Sequence, residues 1–309
     1  MKSNPLVYIV MPCYNWEKYL LEQLMSIYYQ NYSNWYLIFV NDGSTDNSCD
    51  IFENWVKNYK LHKKVKVIMK ENGGVNSAIQ RWLEEVKKIC DINKTDSLVS
   101  YCDQDDIWTR HKLEIQVEYM VSNPDCWLSC HDMAVINENW ELKEMSRYKT
   151  YYKNNSFIYL STITNYMIST VMMFRCRYID YILPMCLVSY QDLRTTLILS
   201  FQGVKIDNIN QQLAYYRSWH PSESKTIINN EKRWKIQINT LKYIQERFPD
   251  KDIWYIISYK YDRLVNRANK NYWLFHIYFL MLFKYPKIFL VWAKAQLYRF
   301  YYTVLNIFK

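Results

Sequence analysis

Glycine is scarce in this sequence, with four residues in a chain of 309, whereas glycine makes up about 7% of an average protein. Three of the four, Gly43, Gly73 and Gly74, directly follow predicted strands. Glycine is required where a turn needs a positive φ angle or where a ligand approaches the backbone. The turns after these strands are therefore candidate binding loops, although Gly43 by itself is more typical of an ordinary strand-to-helix turn.

Long apolar runs are also missing. No segment reaches the roughly 20 apolar residues that a membrane-spanning helix needs. The first apolar run, Leu6–Met11, is too short for a secretory signal peptide and is followed at once by Pro12,. We therefore expect neither a signal peptide nor a spanning helix.

The cysteines show no disulfide framework. Eight of them are scattered along the chain, which indicates a reducing cytosol. Cys126, Cys130 and His131 lie close together in an apolar run, but the second half of a metal site is missing. Buried structural cysteines and a core histidine are the favoured interpretation.

The formal net charge of +9 favours an anionic partner such as a nucleotide, a phospholipid surface or a pyrophosphate-linked lipid. The sequence contains no recognised nucleic-acid-binding motif, so nucleic acid is not expected as a partner. The 30 tyrosines and 12 tryptophans favour ring stacking or contacts at a membrane interface.

Short apolar segments alternate with helical periodicity in the first third of the chain. The predicted strands are Leu6–Met11, Trp35–Val40, Val65–Met69 and Leu98–Cys102, and the predicted helices are Glu17–Tyr29, one that ends at Val56 and one that ends at Lys88. Such alternation predicts an α/β fold with a parallel, doubly wound sheet.

The fourth predicted strand ends in three acids, Asp103, Asp105 and Asp106. Open α/β sheets bind their ligands at the carboxyl ends of the strands. Asp103 and Asp105, two residues apart, can share one face and hold Mg²⁺ or Mn²⁺ against substrate phosphates. A strand that ends in a polar turn, with aspartate at Asx-turn positions, explains this segment equally well on its own.

Four segments taken together, MPCYN, NDGSTDNS, ENGG and CDQDDIW, resemble the nucleotide-sugar domain of family 2 glycosyltransferases. The resemblance covers Pro5 to Asn139 and continues more weakly to Ser224. It implies the GT-A fold, a mixed and mainly parallel sheet with flanking helices. Residues 1–110 would form the nucleotide-sugar half, residues 111–225 the acceptor half, and residues 226–309 a helical extension.

The resemblance also implies roles for the residues around the donor. Pro12 and Tyr14 would open the nucleotide pocket, and Asn41 and Asp42 would hold the base, with the Asn41 amide pairing a uracil or thymine edge. Asn72 and Gly73 would line the same pocket. Relatives often carry Arg-Asn in the next helix, and Arg81 is the corresponding candidate here.

The acidic loop and the acceptor half receive their roles in the same way. Asp103-Gln104-Asp105 occupies the position of the DxD motif: Asp105 would bind the cation, while Asp103 would contact the ribose or sugar and serve as a second metal ligand. Asp106 would orient the sugar or acceptor. The remaining implied residues are Asp192 as general base, Arg217 beside the leaving phosphate and His220 as a further metal ligand. A helix-start aspartate such as Asp192 is also a common N-cap.

The acceptor half contains further predicted elements. These are strands over Cys126–Ile136, Ile168–Phe174, Gly203–Ile209 and Gln212–Arg217, a loop region over Glu138–Asn165 beside the acceptor, and a helix from Tyr190 to Phe201. The CDQDDIW wording is most similar to bacterial rhamnosyl- and related polysaccharide glycosyltransferases, which indicates a dTDP- or UDP-sugar donor.

The extension is predicted to be helical and rich in both aromatic and basic side chains. Helices over Glu231–Arg247 and Asp250–Lys270 precede the aromatic segment Tyr272–Phe283. Amphipathic helices of this composition lie in a membrane interface, which favours a cytoplasmic protein on the inner face of the cell membrane. A helical cap on the catalytic domain and a contact between copies in a homo-oligomer are the alternatives.

The resemblance implies an inverting, metal-dependent glycosyltransferase that uses Mn²⁺ or Mg²⁺ and a nucleotide-sugar donor. The acceptor would be a growing, lipid-linked surface glycan. The alternative is a non-catalytic nucleotide-sugar- or glycan-binding subunit of a polysaccharide assembly complex. A processive synthase is not favoured, because the QxxRW segment and the spanning helices of that class are absent from the sequence.

Overall fold

The computed structural model describes residues 4–69, 75–89, 96–145, 168–183, 191–202, 205–218, 243 and 246–249. Within these residues, nine strands form one mixed sheet in the order β3-β2-β1-β4-β8-β6-β9-β5, with β7 paired to β6. The strands are β1 (Val7–Cys13), β2 (Trp35–Asn41), β3 (Val65–Met69), β4 (Leu98–Tyr101), β5 (Ile107–Trp108), β6 (Cys126–Ile136), β7 (Leu142–Glu144), β8 (Met173–Arg175) and β9 (Lys205–Arg217).

Helices cover the sheet. They are α1 (Glu17–Tyr28), α2 (Ser48–Asn58), α3 (Val75–Ile89), α4 (Lys112–Ser122), α5 (Ile179–Ile182) and α6 (Gln191–Phe201). α1 buries Leu20, Leu24 and Ile27, which recur at the three- and four-residue spacing of one helical face. On α2, Phe52 stacks on Phe39 of β2 with ring centres 3.9 Å apart.

Strand directions confirm the predicted mixed sheet. β3, β2, β1 and β4 are parallel to one another, and β8 is antiparallel to both β4 and β6. β6 therefore runs in the same direction as β4, and β9 is parallel to β6. Every residue of β1 is buried, as expected for a strand covered on both faces.

The sequence predicted that Pro12 ends the first strand, but β1 continues to Cys13. The Val10 carbonyl accepts a hydrogen bond from the N–H of Cys102, on the β4 side. Pro12 is two residues further on and therefore faces the same side, where β4 has ended at Tyr101. The missing N–H of proline removes no ladder hydrogen bond there.

The prediction of two strands over Gly203–Ile209 and Gln212–Arg217 was wrong, because β9 is one strand from Lys205 to Arg217. Its pairing with β6 jumps from His131↔Ile209 to Asp132↔Gln212. The two intervening residues form a bulge, which lets one strand continue across a polar interruption.

The predicted strand over Ile168–Phe174 was also largely wrong. Ser169–Val171 forms a 3-10 turn and the strand is confined to Met173–Arg175. The helix predicted from Tyr190 is confirmed from Gln191 to Phe201, and Cys126–Ile136 is a strand with the predicted bounds. The predicted segments of the extension lie largely outside the described residues, within which no helix is long and apolar enough to cross a membrane.

Candidate active site

The carboxyl ends of β1, β2, β4, β6 and β9 meet at one edge of the sheet, because these strands run in the same direction. The last residues of these strands and the loops that follow them carry most of the predicted site residues that the structure describes, and this edge is where open α/β sheets bind ligands. We call the turn from Asp103 to Asp106, which follows β4, the acidic loop.

Asp106 is the most deeply buried acid of the acidic loop, with 1% of its surface exposed. Its Oδ1 accepts a hydrogen bond from the Arg217 N–H at 3.2 Å, while its Oδ2 has no hydrogen-bond partner within the described residues. Burial, and then the negative charges of Asp105 and Asp103, raise the pKa of Asp106 well above its ordinary value.

Asp103 is held by a hydroxyl group. The Ser169 Oγ lies 2.8 and 3.0 Å from the two carboxylate oxygens, and Ser169 belongs to the 3-10 turn before β8. Burial raises the pKa of Asp103 to about 6, although the Ser169 hydrogen bond acts in the opposite direction. The 3-10 turn that replaces the predicted strand therefore supplies a hydrogen-bond donor to the acidic loop.

Gln104 connects the acidic loop to the start of α1. With its side-chain amide oriented to satisfy both ends, Nε2 donates to the Pro12 carbonyl at 2.9 Å and Oε1 accepts from the Trp16 Nε1 at 2.6 Å. Pro12 therefore contributes its carbonyl group to the site. Gln104 holds the aspartates on either side of it in a fixed position relative to β1.

The loops after β1 and β2 are joined by reciprocal hydrogen bonds. The Asn15 N–H donates to Ser44 Oγ at 3.1 Å, and the Thr45 N–H donates to Asn15 Oδ1 at 2.8 Å. Asn15 has a φ of 56°, in the left-handed region that asparagine tolerates better than most residues. Gly43, with a φ of 78°, occupies the same region, so this turn does require its glycine.

Asp46 serves the start of two helices at once. Its Oδ2 accepts from the N–H of Glu17, the first residue of α1, at 2.9 Å. Its Oδ1 accepts from the N–H of Ser48, the first residue of α2, at 3.0 Å. Burial acts to raise the pKa of Asp46, but hydrogen bonds from Ser48 and Glu17 outweigh it and leave the pKa below its ordinary value.

Asn41 and Asp42 are buried at the end of β2, with 3% and 4% of their surface exposed, whereas Tyr14 is exposed. The Asn41 Oδ1 accepts from the Ser44 N–H at 3.0 Å, and its Nδ2 lies 2.9 Å from Cys49 Sγ. Both ends of this amide therefore have partners within the chain. The predicted pairing with a base would require Asn41 to give up these hydrogen bonds and form new ones with the base.

Asp192 lies in the first turn of α6 and is partly buried. α6 is attached to β4 because the hydroxyl groups of Thr195 and Tyr101 lie 3.0 Å apart. Burial raises the pKa of Tyr101, and the charge of Asp192 acts in the same direction. Tyr101 precedes Asp103 by two residues, so Asp192 stands near the strand that carries the acidic loop.

Arg81 is partly buried on α3, next to Trp82, whose ring packs against that of Tyr101 with centres 5.2 Å apart. The other predicted donor and metal residues, Asn72, Gly73 and His220, lie outside the described residues. Their roles stay predictions.

Arg217 is buried, and the protein holds it through two of its guanidinium nitrogens, while its Nη1 has no hydrogen-bond partner within the described residues. Its Nε donates to the Asp105 carbonyl at 3.1 Å, and its Nη2 lies 2.6 Å from Glu22 Oε2. The guanidinium also lies 4.3 Å from the centre of the Tyr19 ring. Glu22 was not predicted as a site residue, because a glutamate on an amphipathic helix is typical of a solvent-exposed face.

A buried polar layer lies behind the acidic loop. Lys112 is fully buried, and its Nζ donates to Gln116 Oε1 at 2.8 Å and lies 3.9 Å from the Trp108 ring centre. Burial lowers the pKa of Lys112 to about 7. His131 is also fully buried, and burial lowers its pKa well below the ordinary value, which agrees with the prediction of a core histidine.

The acidic loop has the chemistry of a cation site. No group of three His, Cys, Asp or Glu side chains suited to a metal ion occurs within the described residues, which do not include His220. Asp103 and Asp105 nevertheless place two carboxylates two residues apart in this loop, and the Arg217 Nε donates to the backbone carbonyl of Asp105. Hard divalent cations prefer such carboxylate oxygens, so the acidic loop fits Mg²⁺ or Mn²⁺.

Comparison with known proteins agrees with this arrangement. Residues 8–183 match the family described as glycosyl transferase family 2. A Bacillus subtilis (strain 168) protein named putative teichuronic acid biosynthesis glycosyltransferase TuaG is 28% identical over 217 residues, which are 69% of this chain and 79% of that protein.

Two solved structures share the fold. S. aureus TarS 1-349, in complex with UDP-GlcNAc, superposes with a TM-score of 0.62 at 18% identity, over 85% of this chain and 74% of that one. The mannosyltransferase PcManGT from Pyrobaculum calidifontis, in complex with GDP-Man and Mn2+, gives a TM-score of 0.57 at 16% identity, over 94% of this chain and 85% of that one. The sheet with its flanking helices is therefore a GT-A fold, and the chain belongs to glycosyl transferase family 2.

Proposed function

We propose that this protein is an inverting, metal-dependent glycosyltransferase that moves a sugar from a UDP- or dTDP-sugar to a growing, lipid-linked surface glycan. The observation that carries the proposal is the position of Asp192 on α6, which the Tyr101–Thr195 contact attaches to the strand that carries the acidic loop. In this proposal the acidic loop would serve the leaving group and Asp192 the acceptor, and the Tyr101–Thr195 contact supports their proximity.

The donor would lie across the ends of β1, β2 and β4. Tyr14, Asn41 and Asp42 would contact the nucleoside, with Asn72, Gly73 and Arg81 beside it. Asp105, Asp103 and His220 would hold Mn²⁺ or Mg²⁺, which, when bound, supplies positive charge that stabilises the departing nucleoside diphosphate. The Mn2+ and GDP-Man in the PcManGT complex support a cation and a nucleotide sugar as ligands of this fold.

Asp192 would act as general base. The acceptor hydroxyl oxygen attacks the anomeric carbon and forms the new C–O bond, while its proton passes to the Asp192 carboxylate. The bond between the anomeric carbon and the phosphate oxygen breaks, and its electron pair leaves with the nucleoside diphosphate. Attack from the face opposite the leaving group inverts the anomeric configuration. Arg217 would hold the acidic loop through the Asp105 carbonyl.

The acceptor and the location are part of the same proposal. The name of TuaG, a putative glycosyltransferase of teichuronic acid biosynthesis, supports a surface polysaccharide as acceptor. Residues 1–225 would form the catalytic domain. The extension over 226–309, with its basic and aromatic residues, would bind the cytoplasmic surface of the membrane.

The experiment that tests the proposal is transfer from UDP-, dTDP- and GDP-sugars, with Mn²⁺, to a bacterial membrane lipid extract, followed by NMR of the product's anomeric configuration. Asp192→Asn should reduce transfer by about 100- to 10,000-fold without abolishing binding of the donor in calorimetry. The matched control is Asp180→Asn. Asp180 is an exposed acid on α5, which precedes α6, and it pairs with Lys87 of α3. This variant should transfer sugar like wild type.

One observation favours the alternative of a non-catalytic binding subunit. The Asn41 amide, assigned to the base, has partners within the chain at both ends. Such a subunit would bind a nucleotide sugar but would show no transfer with any donor. Retention of the anomeric configuration, or full transfer by Asp192→Asn, would contradict the proposed mechanism.

A further inference from the structure

Trp140 has an unusual backbone and an unusual exposure. It lies in the hairpin between β6 and β7 with a φ of 65°, in the left-handed region that is unfavourable for a bulky residue. Half of its surface, 52%, is exposed. Strained positions that present large apolar groups to solvent are concentrated at binding sites.

The hairpin is built to hold this conformation. Asn137 Oδ1 accepts hydrogen bonds from the N–H groups of Asn139 at 3.0 Å and Glu141 at 2.8 Å. The Trp140 N–H donates to the Asn137 carbonyl at 3.2 Å. Glu138 pairs with Lys18 of α1 at 2.9 Å. The indole is therefore presented by an ordered turn, which lowers the conformational entropy lost on binding a ligand.

The ring of Trp140 stands beside the acidic loop. The Arg217 guanidinium carbon lies 5.4 Å from the Trp140 ring centre, and the Nε of the same guanidinium donates to the Asp105 carbonyl at 3.1 Å. One side chain thus bridges the indole and the loop proposed to hold the donor's diphosphate.

The hairpin lies on the side of the acidic loop away from the proposed nucleoside site. In the sheet, β6 is separated from β1 by β4 and β8, which corresponds to about 14 Å at the usual spacing of strands. The nucleoside would lie at the ends of β1 and β2. A ligand on Trp140 would therefore approach the transferred sugar from the acceptor side.

We propose that Trp140 is the platform on which a pyranose ring of the acceptor glycan stacks. A pyranose has an apolar C–H face and a rim of hydroxyl groups, and an exposed indole offers a complementary apolar face together with an N–H donor. The inference rests on the proposed function, because it assigns the acceptor of that same site. Trp140 would fix which acceptor hydroxyl faces Asp192.

The test uses methyl glycosides of N-acetylglucosamine, glucose and rhamnose as probes, with saturation-transfer NMR on the full chain in the presence of UDP and Mn²⁺. Trp140→Gly removes the ring while glycine accepts the positive φ, so the hairpin is preserved. Trp140→Tyr keeps an aromatic face. Tyr29→Ala is the matched control. Tyr29 is 51% exposed, but it lies between the end of α1 and the start of β2, away from the carboxyl ends of the strands.

We expect at least one glycoside to bind wild type, Tyr29→Ala and, within about threefold, Trp140→Tyr. Trp140→Gly should lose about tenfold in affinity, the equivalent of 1.4 kcal/mol, and the acceptor KM for transfer should rise by a similar factor.

Glycoside binding unchanged in Trp140→Gly, or absent from wild type, would overturn the proposal. So would a loss of UDP affinity as large as the loss of glycoside affinity, since the indole would then stack on the base. Glycoside binding that depends on Trp140 in a protein without turnover would instead refute only the proposed function.

Discussion

Arg217 at the end of β9 and Glu22 on α1 form an ion pair of 2.6 Å in which the arginine side chain is fully buried and the glutamate side chain is 40% exposed. The same guanidinium donates to the backbone of Asp105. The two residues are 195 positions apart in sequence. Their contact joins the end of β9 to α1 beside the acidic loop.

Loss of this ion pair should weaken the fold more than loss of an exposed pair. Glu22→Gln leaves the buried guanidinium without its counter-charge, and we expect a decrease of about 1–2 kcal/mol in the free energy of unfolding, between the values for exposed and buried pairs. Urea denaturation measures it. Glu138→Gln, which breaks the exposed Lys18–Glu138 pair, should change stability by no more than about 0.5 kcal/mol. Equal effects of the two substitutions would show that Glu22 does not stabilise Arg217.

Gln104 should matter through its amide group. Gln104→Leu removes both the bond to the Pro12 carbonyl and the bond from Trp16, and unmade buried hydrogen bonds cost about 1–3 kcal/mol each. We expect lower stability and a higher KM for the donor, because the neighbouring aspartates lose their support. Gln80→Leu is the control, since within the described part of the chain Gln80 pairs with Glu84 along α3, which is worth about 0.2–0.5 kcal/mol. A donor KM unchanged in Gln104→Leu would contradict this role.

Lys112 should make the stability of the protein rise with pH. Its pKa is lowered to about 7 from the ordinary 10.5 by burial. Between these values the unfolded chain binds a proton that the folded chain does not, so the free energy of unfolding increases as the pH is raised. From pH 7 to 9 this contribution is about 2 kcal/mol. Urea denaturation of wild type and Lys112→Met at both pH values measures it, and the rise should be smaller in the variant by this amount. An identical pH dependence would show that the lysine is charged in the fold.

The first half of the fold could be predicted because its elements are determined locally. Val65–Met69 has the predicted bounds, and β2 exceeds its prediction by one residue. Alternating apolar strands and amphipathic helices carry this information in the sequence. Pro12 was misplaced because its tolerance depends on where the neighbouring strand ends, which is a property of the assembled sheet.

The second half was less predictable for a similar reason. β5 and β7 have two and three residues, too short for any periodicity, and form only through pairing with β9 and β6. At the site, the acids of the acidic loop stand out in the sequence. Glu22, Ser169 and Trp140 do not, since a single polar or aromatic residue acquires its role only when distant segments meet.

The most direct test of the central claim is the release of UDP, dTDP and GDP from a panel of nucleotide sugars, with and without Mn²⁺, by wild type, Asp105→Asn and the control Asp50→Asn. Asp50 lies on the exposed face of α2. We predict Mn²⁺-dependent release from one donor by wild type and Asp50→Asn, and a loss of about 100-fold or more in Asp105→Asn. Release that is independent of Mn²⁺ or unaffected by Asp105→Asn, or binding of a donor without release when a lipid-linked acceptor is supplied, would contradict the account.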